Sequence, residues 1–195
     1  IPTPTLFALQ GPAEVHVFFE GLNEGDAVDD DVNGRDEVVT QLVSMNLTNA
    51  AGNITMRVRD VSQSPFSPSL GQIEELVNNT PGRMDLDPFH PGDAESFFDV
   101  LFDIELPDGM ILHNEQPLRL ETIIEDKPPT FAQFIGAIPQ GGLELYTENN
   151  DPSGIRLVAA EHHIGQPGVD DLDFGDAPDP RYPTLLANDG ARHQL

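Results

Sequence analysis

The chain has 195 residues, 38% of them hydrophobic, which is enough to fill one domain core and leave a tail. Thirty-four Asp and Glu stand against nine Lys and Arg, and the net charge of −25 disfavours a nucleic acid or an anionic membrane surface as partner. Cysteine is absent, so no disulfide framework or thiolate metal site is available, and no apolar run is long enough to cross a bilayer as a helix.

Residues 1–12 carry two early prolines that forbid helix, then Leu6, Phe7 and Leu9 before a Gly-Pro break, the pattern of an extended arm. Thr3 and Thr5 in this arm are candidate O-glycan sites. A first strand is expected over 14–20 (EVHVFFE). Between it and the next strand lies the sharpest local signal, Asp29-x-Asp31-x-Asn33-Gly34. Alternate oxygen-bearing side chains ahead of a glycine turn can wrap a hard cation such as Ca²⁺, with Asp26, Asp36 and Glu37 available to complete the set. The twelfth position of such a loop is Thr40, and no helices flank it, so an EF-hand is not indicated.

Further strands are expected over 37–47, 53–60, 97–106, 110–113, 117–124, 142–147 and 154–162, which makes eight in all. The alternation is cleanest in 97–106, where Phe98, Val100, Phe102, Ile104 and Leu106 share one face while Asp99, Asp103 and Glu105 share the other. The spacing of Ile73, Leu76 and Val77 predicts a short helix over 70–78. Sequons stand at Asn46, Asn53 and Asn78. His162 and His163 are neighbours on an expected strand, point to opposite faces and cannot readily share a metal. Periodicity stops near residue 164, and 165–195, with Asp170, Asp171, Asp173, Asp176 and Asp179, reads as an acidic linker or the start of another module.

These elements predict an all-β protein, an antiparallel β-sandwich of jelly-roll type over 13–164, with the arm 1–12 before it and the acidic Gly/Pro-rich tail 165–195 after it. No Gly-x-Ser-x-Gly elbow or thiol nucleophile occurs, and two Tyr without Trp make poor sugar platforms, so no enzyme is expected.

The run Asp173-Phe174-Gly175-Asp176-Ala177-Pro178-Asp179, continuing to Gly190-Ala191-Arg192-His193, resembles a signature of multidomain surface proteins of planctomycete type. The preceding Val15-His16-Val17-Phe18-Phe19-Glu20-Gly21, Gly25-Asp26-Ala27 and Asp29-Asp30-Asp31 resemble an uncharacterised module found beside it. That resemblance implies secretion and modularity. The start at Ile1 reads as a mature product whose export signal has been removed, and carboxylate excess suits the salt and divalent cations outside the cell or at its surface. The expected role is a structural subunit of an extracellular fibre or matrix, a homopolymer in which Leu6, Phe7 and Leu9 of one copy insert into the next. The alternative is a ligand- or carbohydrate-binding module of a secreted adhesin.

Overall fold

The structure, a computed structural model, describes residues 4–60 and 68–165, together with the backbone of 172–174 and 192–194. The chain divides into two compact units, Ile1–Ile164 and Gly165–Leu195. The first contains β1 (Leu9–Gln10), β2 (Ala13–Phe18), β3 (Glu37–Asn49), β4 (Thr55–Val58), β5 (Leu70–Glu75), β6 (Ala94–Val100) and β7 (Phe102–Glu105). It continues with β8 (Ile111–Asn114), β9 (Leu118–Ile124), β10 (Gln133–Ala137), β11 (Leu143–Thr147), β12 (Pro152–Leu157) and β13 (Glu161–His163). In the second unit β14 (Leu172–Phe174) pairs antiparallel with β15 (Arg192–Gln194).

The first unit is all-β. Its 13 strands form one antiparallel sheet, in the order β12-β11-β8-β7-β4-β3-β5-β6-β9-β10-β13, that does not close into a barrel; β1 and β2 also pair with β3. No helix occurs among the described residues, so none is long and apolar enough to span a membrane.

Strand β3 organises this ladder. On one edge its first residues pair with β5 and its last with β4, while the other edge is lined by β2 and then by β1. The chain passes between the two halves again at Leu101, where β6, paired with β5 and β9, gives way to β7, paired with β4 and β8. Two polar side chains take over the ladder bonds at this corner. Leu101 N donates to Ser69 Oγ (2.9 Å), Phe102 N donates to Asn114 Oδ1 (2.8 Å), and Asn114 Nδ2 donates to Val100 O and Gln116 O (2.8 and 2.9 Å).

Alternation builds two apolar clusters. The first gathers Leu42, Met45, Ile54, Phe102, Leu112, Leu118 and Leu145 from both halves of the ladder. The second holds Val38, Ile73, Ala94, Ile124 and Phe134 under Ala27, Met84 and Leu86 from the connecting loops.

The all-β antiparallel expectation holds, with three corrections. The 70–78 helix is strand β5: Gly71, Ile73 and Glu75 point inward and alternate with Leu70, Gln72 and Glu74, a period of two disguised by a buried glutamate. The 97–106 strand keeps its phase but is broken at Leu101, and 154–162 is divided between β12 and β13. Thirteen strands replace the eight expected, because β1, β5 and β10 lack a clear apolar alternation.

Close approach fixes the glycine at position 71. A Cβ at Gly71 would meet Phe97 O at 2.1 Å and Thr40 Oγ1 at 2.6 Å, so Gly71→Ala is expected to lower stability by about 2–3 kcal/mol in urea unfolding.

Candidate metal centre

The loop from β2 to β3 is closed at its neck by two backbone bonds, Glu37 N to Val28 O (2.8 Å) and Val28 N to Glu37 O (3.3 Å). Inside it, acidic side chains hold the amides. Asp29 accepts from Asn33 N and Gly34 N (both 2.9 Å), and Asp31 accepts from Asn33 N and Nδ2 (both 3.0 Å). Asn33 Oδ1 in turn accepts from Arg35 N at 2.8 Å. These grips hold two left-handed residues, Gly34 at φ 91° and Val32 at φ 61°. A β-branched residue there costs on the order of 1–2 kcal/mol, which the surrounding bonds must offset.

Glu37 opens β3 and belongs to the face opposite Val38, Thr40 and Leu42, away from the core, yet only 7% of it is exposed because the loop folds over it. Asp30 N donates to its Oε1 at 3.0 Å, while its buried Oε2 has no hydrogen-bond partner. Register adds to the strain, since Glu37 stands opposite Glu74, which stands opposite Glu95. Like charges directly across strands repel. Arg35 answers two of them, lying 2.5 Å from Glu74 and 3.6 Å from Glu95, and Asn33 Nδ2 also donates to Glu74. Burial, together with the charges of Asp31, Glu74 and Asp30, pushes the Glu37 carboxyl up against the pull of the Asp30 amide.

Carboxylate oxygens of Asp29, Asp31 and Glu37 all lie within 4.8 Å of one another. Two oxygens on opposite sides of a cation bound at about 2.4 Å are separated by about that distance, so one ion can touch all three. An all-carboxylate set selects a hard cation over a soft one. The acidic cluster could therefore hold a metal ion, and the buried, unpartnered Oε2 is the atom that most needs one.

The other expected ligands are engaged in other bonds. Asn33 serves as a donor to the carboxylates. Asp36 is turned to the inside, 3% exposed, where its Oδ2 accepts from Gly82 N at 2.5 Å. Asp26 pairs with Arg83 at 2.8 Å, and its carboxyl is lowered first by the Asn23 backbone amide. Sequence reasoning missed the inward carboxylates of Glu75 and Asp85 beside Asp36, because the run containing Glu75 resembled a helix. It also missed Arg35, which lies within the loop, and Glu74, which only the strand register brings to the site.

Among the assembly residues, Leu9 pairs with Asn49 of the same chain, while Leu6 and Phe7 precede the first strand, 92% and 47% exposed. Thr5, Asn46 and Asn53 are exposed; Asn78 is half-buried, with its Oδ1 buried and unpartnered. Thr3 lies outside the described residues, as do the side chains of the 173–193 signature and the second acidic cluster. His162 stands opposite Phe134 and His163 opposite Gln133.

No family model, curated protein or solved structure matches this chain.

Proposed function

We propose that the chain is a non-catalytic, calcium-clamped structural module of a secreted or cell-surface protein. The observation that carries this reading is the buried, unpartnered Oε2 of Glu37 beside the carboxylates of Asp29 and Asp31. Calcium suits the site because it accepts several carboxylates at about 2.3–2.6 Å, and extracellular modules bind it at about 10⁻⁴–10⁻³ M. An acidic surface and the resemblance of 173–193 to a surface-protein signature agree with that location.

At ten times its Kd the ion contributes about 1.4 kcal/mol. Chelation with EGTA is therefore expected to lower the melting temperature by about 3–6 °C. Asp29→Ala combined with Asp31→Ala removes that response; a wild-type melting curve indifferent to EGTA contradicts the calcium clamp.

The module joins copies of itself head to tail through its N-terminal arm. Supporting this are Leu6 and Phe7, apolar, largely exposed and uncharged against the acidic remainder. Because Leu9 and Gln10 already bond to β3 of their own chain, the linking segment is the part before them. Deleting residues 1–8 is expected to leave a folded monomer with an unchanged melting temperature, while the full chain sediments as larger particles; equal sedimentation of both overturns the assembly.

A second reading, a ligand-binding module, is favoured by a groove of about 560 Å³ beside β9 and β10. It is lined by the exposed Phe131 and the carboxylates of Asp87, Glu125 and Asp126. Glycan-array binding that is lost in Phe131→Ala would support that reading over the structural one.

A further inference from the structure

We infer that a cation held by Asp29, Asp31 and Glu37 also locks the segment 76–93 over the second apolar cluster, acting through the buried carboxylates of Asp36, Glu75 and Asp85. This rests on the cation site described above and extends its effect to a distant loop. The transmission begins with two consecutive residues. Glu37 reaches the cation loop, and Asp36, one residue earlier, reaches the interior.

Asp36 is tied to both neighbouring segments. Its amide donates to Glu75 Oε1 (3.0 Å), its carbonyl accepts from Glu75 N (3.1 Å), and its Oδ2 accepts from Gly82 N (2.5 Å). Glu75 passes the connection on, since its Oε2 accepts from Asp85 N at 2.9 Å. Asp85 Oδ2 then accepts from the amides of Asn79 and Thr80. A parallel seam runs beside this one. Met84 N donates to Gly25 O (2.8 Å), Ala27 N donates to Gly82 O (3.2 Å), and the Arg83 guanidinium spans Asp26 Oδ1 and Glu24 O. The two loops thus form one stitched cover, which places Met84 and Leu86, each 1% exposed, on Val38, Ile73, Ala94, Ile124 and Phe134.

The cover is sensitive because of its charge. Asp36, Glu75 and Asp85 are almost wholly buried, and every bond described for their carboxylates comes from a backbone amide. Burial and the neighbouring Asp36 and Asp85 charges raise the Glu75 carboxyl, so this arrangement tolerates little displacement. Without a cation, Glu37 keeps a buried, unpaired oxygen, with the carboxylates of Asp29 and Asp31 within 4.8 Å and Glu74 opposite it across the strands, and the repulsion acts on the start of β3. Movement there breaks the Val28 and Glu37 neck and draws Asp36 away from Glu75 and Gly82 together. Strands β4, β7, β8 and β11 surround the first cluster and take no part in these bonds.

Hydrogen exchange on the full chain, with calcium at about ten times its Kd and then with excess EGTA, tests this directly. Chelation is expected to reduce protection about tenfold at residues 28–37 and again at 79–86, while β4, β7, β8 and β11 lose no more than the fall in global stability read from the melting curve. In Asp85→Asn, 79–86 should be poorly protected even with calcium and should no longer respond, while 28–37 still does. A response confined to 28–37 in the wild type overturns the coupling and leaves the cation site standing. No response anywhere overturns the cation site itself, and a free energy of opening at 79–86 equal to that of β4, β7, β8 and β11 overturns a local lock.

Discussion

Asn114→Leu is expected to cost about 2–6 kcal/mol and to lower the melting temperature by about 5 °C or more. The side chain is fully buried, and the replacement has nearly its shape, so the effect is not that of a cavity. It comes from the corner at Leu101. Asn114 there satisfies Phe102 N and Val100 O, neither of which can find a ladder partner while the strand passes from one half of the sheet to the other, and it also donates to Gln116 O between β8 and β9. Leucine leaves two buried backbone groups, Phe102 N and Val100 O, unpaired, each costing about 1–3 kcal/mol. Urea unfolding monitored by near-ultraviolet circular dichroism gives the number. A loss below about 1 kcal/mol would mean that the corner relaxes to admit water or another donor, and the account of the crossing would be wrong.

The second large effect is expected at Glu75. Glu75→Gln keeps an acceptor for one of the two amides, Asp36 N or Asp85 N, and turns an NH₂ toward the other, for a loss of about 2–3 kcal/mol. Its pH dependence has a definite sign. Burial raises the Glu75 carboxyl, the amides of Asp36 and Asp85 oppose that shift, and the charges of Asp36 and Asp85 reinforce it. The folded state therefore holds this proton more tightly than the unfolded chain. The resulting stability is fully present below the ordinary glutamate pKa of about 4.3 and is lost as pH rises through the raised value. Between pH 7 and pH 4.5 the wild type should gain stability relative to Glu75→Gln as the solution is acidified. A gap between the two proteins that does not change with pH would show that Glu75 is not a penalised buried charge.

Much of this molecule is legible in the sequence where a single strand has one wet and one dry face. Residues 97–106 reveal their alternation because Phe98, Val100, Phe102 and Ile104 all meet the interior. The break at Leu101 is invisible there, since apolar residues are required on both sides of the corner and the polar groups that make it possible, Ser69 and Asn114, are far away in the chain. The strand over 70–75 is hidden for a related reason. Its inward positions are filled by Gly71, Ile73 and Glu75, and a buried glutamate satisfied by amides from two other segments leaves no apolar period.

The acidic loop is legible because the residues that shape it are local. Asp29, Asp31 and Asn33 are spaced so that their side chains turn back on the loop amides, and Gly34 supplies the left-handed turn. The choice between Asp36 and Glu37 is not local. Consecutive residues entering a strand face opposite ways, so only one can lie under the loop, and the face it covers depends on how β3 meets β5. The same register sets Glu74 beside the site, where Arg35 of the loop pairs with it.

Calcium titration calorimetry on the wild type and on Glu37→Gln tests the clamp most directly. Glu121→Gln, on the same sheet and exposed, is the control for diffuse attraction to an acidic chain. The proposed clamp predicts one saturable site of about 10⁻⁴ M, weakened tenfold or more in Glu37→Gln and unchanged in Glu121→Gln. A wild type that does not saturate, or an equal loss in both variants, would contradict a cation held by Asp29, Asp31 and Glu37.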